Sequence, residues 1–223
     1  MRRFFVIIGF LLCTIFVEAQ NTDFGGIITG EISQDISKLW SVSFSEELRF
    51  NKNFSQYDRS QTALGVDYTF FRGRMKAGGT AEYHNKFTDN HIYRNRWRFS
   101  AHLSYIYKYR YYTFNLRTRL QSTYYDSHRG DFRINPKIYW RNRLEISYKR
   151  LNSRLKYSLS GEFFWLVNAP KHNVIDDVRL TASAEYRLTR RSYLDIFCRD
   201  DKEIQVVDPQ RMIYFGVGYK FKE

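Results

Sequence analysis

The chain of 223 residues carries 36 Lys and Arg against 23 Asp and Glu, a net charge of +13, with 18% aromatic residues, three Pro and two Cys. This length fits one domain, and the mean hydropathy of −0.55 gives the chain the profile of a soluble protein.

The first residues have a separate logic. Met1-Arg2-Arg3 precedes an apolar run from Phe4 to Val17, and Val17 and Ala19 occupy the −3 and −1 positions of a cut after Ala19. That is the pattern of a secretory signal, and the run falls short of the ~20 apolar residues of a transmembrane anchor. Cys13 lies inside the apolar run and Gln20 follows the cut, so a lipoprotein is not expected. Residues 1–19 are thus read as a signal peptide and 20–223 as the mature domain. Only Cys198 survives processing, so no intrachain disulfide forms.

From Phe24 onward the sequence alternates with a period of two, the spacing of β-strands. The first run, Phe24 to Ser33, turns through Asp35–Lys38 into Trp40, Val42, Phe44, Leu48 and Phe50, opposed by Ser41, Ser43, Ser45, Glu47 and Arg49. A polar loop, Asn51 to Asp58, leads to Thr62–Phe70, and Arg72-Gly73-Arg74 turns tightly into Met75–His84. A loop from Asn85 to Ile92 precedes Tyr93, Trp97, Phe99, Ala101, Leu103 and Tyr105, with Arg94, Arg96, Arg98, Ser100, His102 and Ser104 opposite. After a turn at Lys108–Arg110 come Tyr112–Gln121, a longer loop containing Asp126 to Asp131, and Ile138–Tyr148 with Arg141, Arg143 and Glu145 on its polar face. The turn at Arg150–Ser153 gives Leu155–Trp165, and the loop Val167 to Asp177 gives Val178–Tyr186. Thr189-Arg190-Arg191 turns into Leu194–Arg199, and a last loop, Asp200 to Gln210, precedes the final run. In that run Ile213, Phe215, Val217, Tyr219 and Phe221 share one face, while Gly216 and Gly218 leave space on the other.

Tight and long connections alternate, and most runs reach the ~9–11 residues of a tilted membrane strand. The pattern predicts an all-β fold: an antiparallel up-and-down transmembrane β-barrel of 10–12 strands, with short periplasmic turns and longer external loops. Eleven runs are legible, whereas bacterial single-chain barrels normally have an even number. The first run is therefore an extra segment or the sign of a missed strand. Period alone leaves open the inverse arrangement, a soluble lipocalin-like barrel with its apolar face inside. The load of Trp, Phe and Tyr on that face and the repeated Arg on the other favour the membrane form.

The closing Ile213–Phe221 run resembles the final, membrane-insertion strand of outer-membrane barrels. The signal peptide, Glu46-Glu47-Leu48-Arg49-Phe50, Tyr139-Trp140-Arg141-Asn142-Arg143-Leu144 and Gly216-Val217-Gly218-Tyr219-Lys220-Phe221 together resemble an uncharacterised outer-membrane family common in the Gram-negative Bacteroidetes, catalogued as domain-of-unknown-function family 2490. The resemblance implies an outer-membrane location and carries no activity or catalytic residues. The partners expected of such a barrel are outer-membrane lipid and lipopolysaccharide, with the barrel-assembly machinery during insertion, and a monomeric chain is expected.

His102-Leu103-Ser104 resembles the His-x-Ser pair of outer-membrane lipid A deacylases, with Glu82 on the preceding strand as the group to orient the histidine. Period two does put His102 and Ser104 on one face, as a base and nucleophile require. Their place near the Lys108–Arg110 turn, toward the periplasm, favours a hydrogen-bonded lumen histidine, and no enzyme is expected. Asp176-Asp177 and Asp200-Asp201-Lys202-Glu203 offer hard oxygen ligands without the spacing of a metal loop, and are read as solvated external-loop charge. Neither a metal nor a cofactor is expected, and a basic exported barrel meets anionic lipopolysaccharide before nucleic acid. The remaining signal is charge on the polar faces. Arg94, Arg96, Arg98, Arg117, Arg119, Arg141 and Arg143 are expected to form one basic wall, since neighbouring strands lie ~5 Å apart, with Glu145 among the carboxylates that pair with it. Two functions fit: a narrow barrel plugged by a structural ion-pair network, or a small anion-selective pore.

Overall fold

The alternating runs become strands because each has one face suited to an apolar and one to a polar surrounding, so pairing satisfies the backbone while sorting the side chains. The computed structural model describes residues 21–88, 92–126, 134–169, 174–205 and 209–223. The signal-peptide reading of residues 1–19, Pro170 and most of the 126–131 loop lie outside these residues. The described residues form eleven strands. They are β1 (Asn21–Asp35), β2 (Trp40–Asn51), β3 (Gln56–Phe70), β4 (Met75–Thr88), β5 (Ile92–Tyr109) and β6 (Tyr112–Tyr125). Beyond these come β7 (Lys137–Tyr148), β8 (Leu155–Leu166), β9 (Val174–Arg187), β10 (Ser192–Glu203) and β11 (Gln210–Lys222).

Each strand pairs with its sequence neighbours, and β1 pairs with β11 to close the barrel. The first run is thus a full strand. Its pairing with β11 is parallel, from Asn21↔Gln210 to Ser33↔Lys222, while all other pairs are antiparallel. The wholly antiparallel expectation is corrected at this one seam. An odd number of up-and-down strands leaves the first and last pointing the same way, so closure has to be parallel. It also places Asn21 and Lys222 at opposite ends of the barrel.

Several expected loops are shorter than the sequence suggested. Residues 52–55 connect β2 to β3 as tightly as 36–39 and 71–74 connect their strands, so tight and long connections do not alternate strictly. Lys52, Asn53 and Phe54 turn the chain in three successive left-handed conformations, φ 50, 56 and 68°. The Asp23 carboxylate accepts from the Lys52 and Asn53 amides at 2.8 and 3.1 Å, which fixes that turn. At the other end Ser37 and Thr189 do similar work, each hydroxyl accepting from an amide three residues on, at 3.1 and 3.0 Å. Asp176, Asp177 and Asp200–Glu203 are likewise on strands, not in loops.

The two faces sort in one sense. Leu64, Leu159 and Ile196 are 61, 58 and 57% exposed on the outside, whereas Glu82, Arg141 and Glu162 are 5% exposed inside. This overturns the inverse arrangement with an apolar interior. Aliphatic residues hold the middle of the outer face, and aromatic pairs gather toward its ends. Trp40 and Tyr68 (4.9 Å between centroids) and Tyr112 and Tyr148 (5.3 Å) lie near the tight turns; Tyr83 and Trp97 (5.0 Å) and Trp140 and Trp165 (5.6 Å) lie near the other end. Two small apolar clusters point inward, Ile27–Phe197–Tyr214 beside the seam and Tyr139–Phe164–Leu166.

Candidate functional site

Two glutamates organise the lumen. Glu82 on β4 lies directly across from Arg98 on β5, and its Oε2 accepts from Arg98 Nη1 at 3.1 Å and lies 3.1 Å from His84 Nε2. Arg119 approaches its other oxygen at 4.0 Å. Glu162 on β8 accepts from Arg141 Nε and Nη2 at 3.1 and 3.0 Å, and from Arg117 Nη2 at 3.3 Å. The planar guanidinium of Arg141 matches the carboxylate at two points, the stronger form of such a pair. Neutral side chains connect the two nodes. Arg141 Nη1 donates to Gln121 Oε1 at 2.5 Å, Gln121 donates to Thr123 Oγ1 at 3.3 Å, and Arg98 Nε reaches the same hydroxyl at 3.4 Å.

The seven arginines therefore share the lumen face but split into two groups. Arg117 and Arg119 stand directly opposite Arg143 and Arg141. Arg94, Arg96 and Arg98 instead stand opposite Lys86, His84 and Glu82. Such facing arginines repel, and the carboxylates inserted between them make the arrangement tenable. Arg143 pairs with Glu145, which also accepts from Ser147 Oγ at 3.1 Å, and Arg96 stacks over the Tyr125 ring at 4.8 Å. Across the barrel, Arg179 donates to both oxygens of Asp201 at 2.6 and 2.8 Å, and Arg199 lies 3.9 Å from Glu47. Lys220 bridges Glu185 and Asp195 at 3.3 and 3.1 Å. Phe164 lies beneath two guanidiniums, Arg141 at 4.2 Å and Arg179 at 5.0 Å.

This belt divides the lumen. A cavity of about 760 Å³ opens toward the 52–55 end and one of about 350 Å³ lies toward the tight turns. Gln61, Arg141 and Arg179 line both cavities, so they form the septum. Among the described residues, nine Lys and Arg and five Asp and Glu line the larger cavity, whereas seven of each line the smaller one.

The hydrolase candidates are not assembled as the sequence suggested. His102 Nε2 lies 3.2 Å from Asp67 Oδ1, and the partner expected for it, Glu82, is committed to Arg98 and His84. Gly78 lies between Asp67 and His102 in register and makes their meeting possible: a Cβ there would overlap the Asp67 carboxylate. Ser104 is buried opposite Lys76 and Arg117. Of the acidic runs, Asp201 is bound to Arg179, and Asp200 accepts from Arg211 at 2.9 and 2.6 Å. Among the described residues no group of three His, Cys, Asp or Glu is placed to hold a metal ion.

Period two places His84, Ile27 and Tyr139 on the polar faces of their runs, and nothing in the sequence singles them, or Phe164, out as site residues. Parity alone marks Phe164, two positions beyond Glu162, as inward. The apolar residues on either side, Phe163 and Trp165, obscure it, and a register shift between Phe164 and Trp165 in the pairing of β8 with β9 blurs the alternation there. Period two puts Asp67 on the polar face of its run without pointing to His102 as its partner.

No curated protein matches the chain. A family profile described as "Protein of unknown function (DUF2490)" matches residues 28–202. That match runs from the middle of β1 to the end of β10 and contains both glutamate nodes and every arginine of the belt, so the chain belongs to the DUF2490 family of proteins of unknown function.

Proposed function

We propose that this is an outer-membrane barrel whose lumen is closed by a structural ion-pair septum, and that it serves as a surface or scaffold protein and not as an enzyme. The observation that carries the reading is the sorting of its faces, with an exposed aliphatic middle flanked by aromatic pairs outside and ionised groups inside. Such a surface suits hydrocarbon between two interfacial layers, where closed barrels satisfy every backbone group. On this reading the turns 36–39, 71–74, 110–111, 149–154 and 188–191 are periplasmic, and the larger cavity opens outward. The inward position of His102, beside Asp67 and away from acyl chains on the outer face, supports the absence of lipid hydrolysis.

Fractionation with gel migration before and after boiling tests the location: the protein belongs in the outer-membrane fraction and shifts on heating, and recovery as a detergent-independent soluble protein refutes the reading. Planar-bilayer recording tests the septum, and a silent bilayer is expected. The second reading, a small anion-selective pore, draws on the basic excess of the larger cavity. It would require stable conductance with anion preference, reduced or inverted by Arg96→Glu and Arg143→Glu.

A further inference from the structure

We propose that the larger cavity is a blind binding pocket for small organic anions carrying at least two carboxylate, phosphate or sulfate groups. The inference deepens the outer-membrane reading and rests on it for the side from which the ligand arrives.

The argument starts from where the countercharges sit. Among the described residues, nine basic side chains and five carboxylates line this cavity. The excess comes from arginines held by carboxylates that do not line it: Arg98 by Glu82, Arg141 by Glu162, Arg49 by Glu47 and Arg211 by Asp200. Their guanidiniums are fixed from behind while the cavity face stays basic. The smaller cavity is lined by equal numbers of each sign and offers no such preference. A cleft with a net excess of one sign and low-dielectric walls focuses its field and concentrates opposite charge.

The donor chemistry narrows the ligand. Arginine forks match planar carboxylate and tetrahedral oxyanions at two points, and with several of them around one space a ligand with two anionic groups is held better than one with a single group. Arg96 stacked on Tyr125, and Arg141 stacked on Phe164, present oriented guanidiniums beside aromatic surface. The volume of about 760 Å³ lies within the ~300–1,000 Å³ of small-molecule sites. The septum of Gln61, Arg141 and Arg179 makes the floor, so the ligand stops there.

Titration calorimetry on the full folded chain in detergent micelles tests this, with citrate, digalacturonate and uncharged galactobiose as probes. Both anions are expected to bind with one-to-one stoichiometry, weakening about tenfold from low to moderate salt as screening sets in. Galactobiose is expected not to bind. Binding of citrate alone points to free polycarboxylates, and binding of digalacturonate alone to acidic saccharides; either sustains the shared chemistry. Lys86→Gln with Arg96→Gln should weaken binding about tenfold, whereas Lys156→Gln in the smaller cavity should not. If the double variant fails to fold, the salt dependence and the uncharged probe decide on the wild type. Equal binding of galactobiose and digalacturonate, or binding of neither anion by protein that still shifts on heating, overturns the pocket. A soluble protein that binds the anions would overturn the membrane placement and leave the pocket standing.

Discussion

Gly216 on β11 is paired in register with Phe197 on β10, and the phenyl ring fills the space a side chain at 216 would need. Phe197 is buried against Ile27 and Tyr214, so the glycine is what lets an inward aromatic sit beside the parallel seam. Gly216→Leu should therefore weaken closure by the ~1–3 kcal/mol typical of overpacking, or more, read as a lower midpoint for loss of the compact band on heated gels. Adding Phe197→Ala should recover much of the loss. Gly30, where a Cβ would meet nothing within 4 Å, is the control, and Gly30→Ala should leave the midpoint unchanged.

The septum makes a second demand. Glu162 is 5% exposed and is bonded to Arg141 and Arg117. Glu162→Gln keeps the volume but removes the charge that balances both arginines, and breaking such a buried pair costs about 3–5 kcal/mol. The thermal midpoint of the folded band should drop clearly. Glu162→Leu combined with Arg141→Met should be milder than Glu162→Gln, because no uncompensated charge is left at the Arg141–Glu162 pair. Arg117→Met, which removes a single 3.3 Å contact, should cost least. Equal losses in all three would show that the pair does not organise the lumen.

Much of this architecture was legible from the chain. Period two located all eleven strands, and the Arg-x-Arg pairs of β5, β6 and β7 marked the lumen face. What escaped depends on register and not on period. Nothing in the sequence says that Glu82 stands opposite Arg98 while Gly78 stands opposite His102, which decides that Asp67, and not Glu82, meets that histidine. The strand ends escaped for a related reason. Asp200–Glu203 reads as loop because it is continuously charged, yet Arg179 on β9 binds Asp201 and Arg211 on β11 binds Asp200, so the strand continues through it. The parallel seam is invisible locally, since β1 and β11 look like any other alternating runs.

The proposed lack of enzymatic activity has a direct check. His102→Ala and Ser104→Ala should leave the lipid A mass profile of expressing cells unchanged. His102→Ala should modestly lower the thermal midpoint, since it removes the ring nitrogen 3.2 Å from the Asp67 carboxylate. Loss of an acyl chain that depends on either residue would restore the hydrolase reading.

The odd strand number yields the most discriminating prediction. Asn21 and Lys222 begin β1 and end β11, and those strands run in the same direction, so the two positions lie at opposite ends of the barrel. A barrel with an even number of up-and-down strands would bring both to one end. If the turns 36–39, 71–74, 110–111, 149–154 and 188–191, all short, face the periplasm, Asn21 lies at the outer rim beside the turn 52–55, where Asn53 donates its amide to the Phe24 carbonyl at 2.9 Å. An epitope inserted between Gln20 and Asn21 should then be reached by antibody on intact cells, as should one placed within 126–136. An epitope after Glu223, or within 149–154, should be reached only after permeabilisation. Labelling of the two termini on the same side would show that β1 does not close the barrel in the parallel sense.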